Sequence, residues 1–167
     1  LSNLLVTQNS KGIFLYNASP IIDNLHSMYN SDHGSGLVLW ETSIPIISNS
    51  KFNHNTGVNV NINSNSFPTF NNCEFSYNSN MDYDYGGAGV RSSGYADGVT
   101  FNDCKFQYNQ QAKDGSAYSI DRDYSGAVQF NNCLITNNEV HNPYDGRGGA
   151  ISLYTNTAVF IRNTTIA

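Results

Sequence analysis

The chain has 167 residues, 39% of them hydrophobic and with no blocks of like charge, which suits one domain with a sizeable core and not a disordered segment. Charged residues are 13% of the total, about half the usual share, and the net charge of −5 comes with only eight Lys and Arg placed singly. That leaves no basic stripe for a phosphate backbone, so nucleic acid is not expected as a partner, and no apolar run approaches the roughly 20 residues that span a bilayer.

In chain order, "LSNLLVTQN" (1–9) opens a pattern that returns as "IIDNLHSMYN" (21–30) and "IISNSKFNHN" (46–55). It is sharpest in "FNNCEFSYN" (70–78), "FNDCKFQYN" (101–109) and "FNNCLITNN" (130–138), and closes with "FIRNTTIA" (160–167). Between these copies stand Gly-led apolar stretches: "GIFLY" (12–16), "GLVLW" (36–40), "GVNVNI" (57–62), "GGAGV" (86–90), "GSAYSI" (115–120) and "GGAISLY" (148–154). The closing asparagines Asn9, Asn30, Asn55, Asn78, Asn109 and Asn138 are separated by 21, 25, 23, 31 and 29 residues. Such a period signals a repeat architecture. Apolar residues alternate with polar ones over short runs bounded by Gly, Asn, Ser or Pro, which predicts strands, and no segment carries a helical period. Pro20, Pro45 and Pro68 stand just before the first strand of a unit, where a missing N–H does least harm.

The pattern predicts an all-β fold, a right-handed parallel β-helix solenoid of about six coils with roughly three short strands per coil. Equivalent residues then lie about 4.8 Å apart, one over another. Two inward columns follow, Val6, Phe52, Phe75, Phe106, Ile135, Ile166 and Ile22, Ile47, Phe70, Phe101, Phe130, Ile161. Asn3, Asn24, Asn49, Asn72, Asp103, Asn132 and Asn163 are expected at a bend, because Asn tolerates left-handed backbone. Leu4, Leu25, Ser50, Cys73, Cys104, Cys133 and Thr164 form a small inward slot. His26, Lys51, Glu74 and Lys105 form an outward one, whose pairs are worth roughly 0–1 kcal/mol. The three cysteines show no zinc spacing, and parallel Cβ atoms one coil apart are too distant for good disulfide geometry, so buried free thiols are expected. The chain starts and stops inside the pattern. The expectation is therefore a segment of a longer secreted protein, with further coils, a cap or another subunit at the open ends.

"FNHN" (52–55), "FSYN" (75–78) and "FQYN" (106–109), with "GGAGV" and "GGAIS" (148–152), resemble the alternating FxxN and GGA motifs of polymorphic outer-membrane protein repeats. More broadly the chain resembles the pectin-lyase-like right-handed β-helices. The first two coils depart from it, with Val6 and Ser27 in place of Phe and a single Gly in place of GGA. The resemblance implies an extracellular or cell-surface passenger, often adhesive, without a catalytic centre in the repeat itself.

The units from residue 69 onward are longer, and the additions follow FxxN: "SNMDYDYGG" (79–87), "QQAKDGS" (110–116) and "EVHNPYDGRGG" (139–149). Stacking should bring Asp84, Asp114 and Asp145 onto one edge, with Asp82, Tyr83, Tyr85, Tyr144 and Arg147 around them. Two uses stay open. Asp-Gly and Asp-Tyr-Gly are turn chemistry, or the loops form a cleft in which tyrosine rings stack on sugars and carboxylates bind. No cofactor is expected, calcium on Asp84 and Asp114 being the one candidate. A glycosidase needs two carboxylates about 5–9.5 Å apart, which would fall to Asp84, Asp114 and Asp145, but no matching catalytic signature occurs. "DRDY" (121–124) is a second acidic cluster, and His33 in "DHG" reads as a solvated loop residue. The leading expectation is a non-enzymatic extracellular or cell-surface module for adhesion, display or assembly, with carbohydrate or protein bound at the flank loops. The alternatives are a polysaccharide lyase or glycoside hydrolase acting at those loops, and a subunit of an extracellular filament.

Overall fold

A computed structural model describes residues 1–32, 34–63, 65–81, 86–93, 98–120, 126–141, 148–153 and 158–167. The described residues form strands, turns and bridges with no helix, and so none long and apolar enough to cross a membrane. Every strand pairing among the described residues is parallel. The third coil shows the plan: Ile46–Ser48, a bend, Lys51–Asn53, a turn, then Val60–Asn63. Each strand pairs with its equivalent one coil away, which gives a parallel β-helix.

The strands following the Gly-led turns stack into one six-stranded sheet: Ile13–Tyr16, Leu37–Trp40, Val60–Asn63, Val90–Ser93, Tyr118–Ile120 and Ile151–Ser152. The FxxN strands and those before them form a twelve-stranded sheet folded at the asparagine bend. Ser2–Thr7 and Ile21–Met28 run straight through that bend, whereas later coils break there into two strands. A third, short sheet joins Ser79–Asn80, Gln110–Gln111 and Glu139–Val140, and single parallel bridges, Ser31 to Thr56 and Thr56 to Ser79, continue it into the shorter units.

The register matches the expected columns residue for residue. Val6 pairs with Ser27, and Ser27, Phe52, Phe75, Phe106, Ile135 and Ile166 follow one over another. Ile22, Ile47, Phe70, Phe101, Phe130 and Ile161 do the same. The six core phenylalanines are fully buried. Within a column their rings stack, Phe52 on Phe75 at 5.3 Å and Phe75 on Phe106 at 4.8 Å between centroids. Between columns they meet edge to face, as Phe75 does with Phe70 at 78° and with Phe101 at 90°. Each buried ring contributes roughly 1.5–3 kcal/mol by area, and each ring pair about 0.5–1.5 kcal/mol more. Ser27 fits a phenylalanine column because its Oγ donates to the Gly36 carbonyl at 3.2 Å and accepts from Asn30 Nδ2 at 3.1 Å.

The closing asparagine of FxxN is a buried clamp between coils. Asn78 Nδ2 donates to the Phe52 carbonyl of the preceding coil and to Asn109 Oδ1 of the next, both at 2.9 Å, while its Oδ1 accepts from the Asn55 N–H at 3.0 Å. Asn55, Asn109 and Asn138 repeat the reach to the residue three before the asparagine beneath, to Ser27, Phe75 and Phe106. The spacing in FxxN is thus the spacing of a hydrogen bond made by the neighbouring coil. The bend asparagines form a second, exposed ladder with left-handed backbone, φ running from 48° to 55° through Asn3, Asn24, Asn49, Asn72, Asp103 and Asn163, with 56° at Asn132. Asn24 Nδ2 donates to Asn3 Oδ1 and Asn72 Nδ2 to Asn49 Oδ1, each at 2.8 Å, and Asn132 Nδ2 donates to Asp103 Oδ1.

The two GGA triplets sit one residue out of step. Gly87, Gly115 and Gly148 are equivalent, all at positive φ; the Gly87 N–H donates to the Asp114 carbonyl, one residue before its equivalent, whereas the Gly115 N–H donates to the carbonyl of Gly148 itself. Two residues on, Gly89 lies against the Ala117 carbonyl, where a Cβ would come within 2.5 Å of the oxygen.

Cys73, Cys104 and Cys133 are buried free thiols, as expected. Each Sγ donates to the carbonyl two residues back, at 3.2–3.4 Å. Hydrogen bonds with Cys133 and then Cys73, together with burial, push the Cys104 thiol above its ordinary value of 9.0. The same hydrogen bonds hold the Cys73 and Cys133 thiols below that value. Cys104→Ala is expected to act as a packing perturbation of about 1 kcal/mol relative to the parent, read as a urea midpoint. Thiol reagents should label the parent only at its unfolding rate.

Candidate functional site

Most of the flank-loop residues expected to bind or react, Asp82, Tyr83, Asp84, Tyr85, Tyr144, Asp145 and Arg147, lie outside the described residues, as do His33 and the cluster 121–124. Asp114 is described. It is partly buried immediately before Gly115, whose φ is 53°, and its carbonyl accepts from Gly87 across the coil boundary. Among the described residues no three His, Cys, Asp or Glu side chains gather as metal ligands.

The outward column of His26, Lys51, Glu74 and Lys105 is in register. Its carboxylate does not pair with the lysines: Glu74 Oε1 accepts from Ser76 Oγ at 2.6 Å and from Asn53 Nδ2 at 3.4 Å. The lysines and Glu74 border a shallow depression of about 260 Å³ beside the bend asparagines and Cys73.

The most distinctive surface feature is one that the sequence pattern contains but does not announce. The residue just before each closing asparagine is Tyr29, His54, Tyr77 and Tyr108 in four successive coils. Their rings stack into an exposed ladder, with centroid separations of 5.2, 5.0 and 4.9 Å and interplanar angles of 31°, 13° and 8°. Each has φ of 55°. Left-handed backbone costs a bulky L-residue roughly 1–2 kcal/mol, so four aromatics there stand against local preference. Two things hold them. The following asparagine is buried and clamped between coils, and the turn keeps its ladder bonds, His54 N–H to the Ser76 carbonyl at 3.1 Å and Tyr77 N–H to the Gln107 carbonyl at 3.0 Å. Stacking returns about 0.5–1.5 kcal/mol per pair, comparable with the backbone cost. Tyr29, Tyr77 and Tyr108 remain 58%, 51% and 44% exposed, so the arrangement places aromatic edges and hydroxyls in solvent at one-coil intervals.

The ladder stops at Asn137, which has the same backbone conformation, φ 56°, but no ring. A depression of about 360 Å³ opens there, lined by Tyr108, Gln110, Asn137, Asn138 and Glu139. Glu139 Oε1 lies 3.6 Å from His141 Nδ1. Chemically the ladder and its end combine an aromatic surface with amide and carboxylate groups, the mixture that recognises amphipathic ligands.

No curated protein matches the chain, and no solved structure matches it. A family model does: the right-handed beta helix region matches residues 1–120. With the parallel register, the stacked columns and a family match over most of its length, this chain belongs to the right-handed beta helix family.

Proposed function

We propose that this β-helix is a non-catalytic extracellular or cell-surface module that binds an extended partner along its flank, serving adhesion, display or assembly. The observation that carries the reading is the exposed ladder Tyr29–His54–Tyr77–Tyr108, maintained at a backbone conformation that disfavours it. Strain kept at a surface position argues for use of that position. The inner columns and buried asparagines are committed to holding coil on coil, which makes the ladder a rigid array, and rigid aromatics bind with little loss of side-chain entropy. The resemblance to surface-displayed repeat passengers points the same way.

The test is retention of the chain on insoluble polysaccharides, cellulose, chitin and peptidoglycan, by co-sedimentation. The double variant Tyr29→Ala/Tyr77→Ala is expected to remain folded and to lose about tenfold in affinity, the equivalent of two stacking contacts. Unchanged retention by that variant would count against the ladder as the binding surface. Release of reducing sugar or unsaturated product from a panel of acidic polysaccharides, abolished by Asp114→Ala, would replace this reading with an enzymatic one centred on the flank loops.

A further inference from the structure

We propose that the aromatic ladder and the column beside it form a track for a neutral, extended glycan of equatorially 1,4-linked pyranoses, laid along the helix axis with one sugar ring to each coil. This rests on the ladder being a binding surface and names its ligand. The residues just after the closing asparagines, Ser31, Thr56, Ser79 and Gln110, form a second column in register from coil to coil. Ser31, Thr56 and Gln110 are exposed and Ser79 is half-buried. Each stands two residues from a ladder ring, so the two columns run at most about 7 Å apart. The strip lies inside the stack of coils, with Gln8 before Tyr29 and Asn137 after Tyr108 at the equivalent positions.

Spacing selects what can lie on this strip. The ladder rings turn their faces to one another, so His54 and Tyr77 are covered on both faces and offer a ligand their edges, to which the tyrosines add hydroxyls. These contacts recur at 4.9–5.2 Å, and a bound polymer must keep that step. A peptide strand presents like-facing side chains about 6.6 Å apart and is out of step by the next coil. In an extended chain of equatorially linked pyranoses each ring advances by close to one coil. Each also carries hydroxyls that donate and accept, as those of tyrosine, serine and threonine do, and as the two ends of a glutamine amide do. A cross-β fibre has a matching period, but its side chains need gaps in which to interdigitate, and rings stacked this closely leave none. Charge narrows the class further. Neither column contains Lys, Arg, Asp or Glu, and the whole chain carries −5, so a polyuronate, a sulfated glycan or a nucleic acid finds no cation here to pair with.

The experiment is an NMR titration of the chain with cellobiose, cellotetraose and cellohexaose. The controls are maltohexaose, whose axial linkages curl the chain, and hexagalacturonate, which is charged. Affinity is expected to rise about tenfold or more from cellobiose to cellotetraose, as the four coils of the ladder become occupied, and to change little from there to cellohexaose. Tyr77→Phe keeps the ring and its stacking but removes one hydroxyl, so it should weaken cellotetraose about fivefold and leave the urea midpoint where it was. Equal affinity for cellobiose and cellotetraose, maltohexaose or hexagalacturonate bound as tightly as cellohexaose, parental affinity in Tyr77→Phe, or no saturable binding of cellohexaose overturns the proposal. Retention on insulin fibrils in place of glycans would assign the strip to a fibrous protein and overturn it as well. If Tyr29→Ala/Tyr77→Ala loses retention on an insoluble polysaccharide while oligosaccharide affinity is independent of length, the ladder reading survives and the track falls. If the parent is neither retained nor titrated, both fall.

Discussion

Phe75→Ala is expected to cost about 3–5 kcal/mol of unfolding free energy. The side chain is fully buried and stands at the crossing of the two phenylalanine columns. It stacks between Phe52 and Phe106 and meets Phe70 and Phe101 edge to face. Truncation removes transfer free energy, opens a cavity that close-packed coils above and below cannot collapse into, and breaks four aromatic contacts together. Phe75→Leu keeps much of the volume and should cost less than about 1.5 kcal/mol beyond the lost ring contacts. Urea unfolding followed by circular dichroism reads both. A loss under 1 kcal/mol for Phe75→Ala would mean that the columns do not interlock at this coil.

Asn78→Leu is expected to destabilise by roughly 3 kcal/mol or more even though it adds apolar surface. The substitution leaves the Asn55 N–H without its partner, takes one donor from the Phe52 carbonyl, which keeps Asn59 Nδ2 at 3.2 Å, and takes one from Asn109 Oδ1. Each buried polar group stranded in this way costs about 1–3 kcal/mol. The informative comparison is Asn72→Gly, which removes an equally regular amide rung, the 2.8 Å bond to Asn49, from the exposed bend, where water replaces the lost partner and φ of 52° suits glycine. That variant should lose under about 1 kcal/mol. The same residue type in the same repeat thus carries two different weights, decided by burial.

The order of these effects explains what the sequence could reveal. Phe75, Phe106 and Cys104 were legible because a parallel solenoid puts like over like. A position that must stack on itself is spelled the same way each time, and alternation within each strand says which side faces in. The bend asparagines were legible for a second reason, since few other L-residues accept φ near 55° without cost. The Tyr29–Tyr108 ladder escaped for the converse reason. Its positions adopt the same left-handed backbone, yet rules of residue preference assign such positions to Gly, Asn or Asp and give no warning of tyrosine. The signal was present as the letter before each closing asparagine, Y, H, Y and Y. It becomes a surface feature only once the register is known. The function of the closing asparagine was also hidden. The motif shows that Asn78 recurs, but only coil stacking shows that it reaches the carbonyl of Phe52, 26 residues earlier. Asp114 illustrates the limit of the loop reading: it stands immediately before Gly115, whose φ is 53°, while its proposed companions Asp84 and Asp145 fall outside the described residues.

The register itself is open to direct measurement. In nuclear Overhauser spectra of isotopically labelled protein, ring protons of Phe75 should correlate with those of Phe106, and Phe101 with Phe130, at centroid separations of 4.8 and 5.1 Å. The side-chain amide protons of Asn78 should correlate with the α-proton of Phe52, and those of Asn109 with the α-proton of Phe75. Contacts at these one-coil offsets, all running parallel, are the predicted result. Cross-strand α-proton pairs of the antiparallel kind, or phenylalanine contacts scattered without a common offset, would contradict the stacked columns and with them the surface ladder they support.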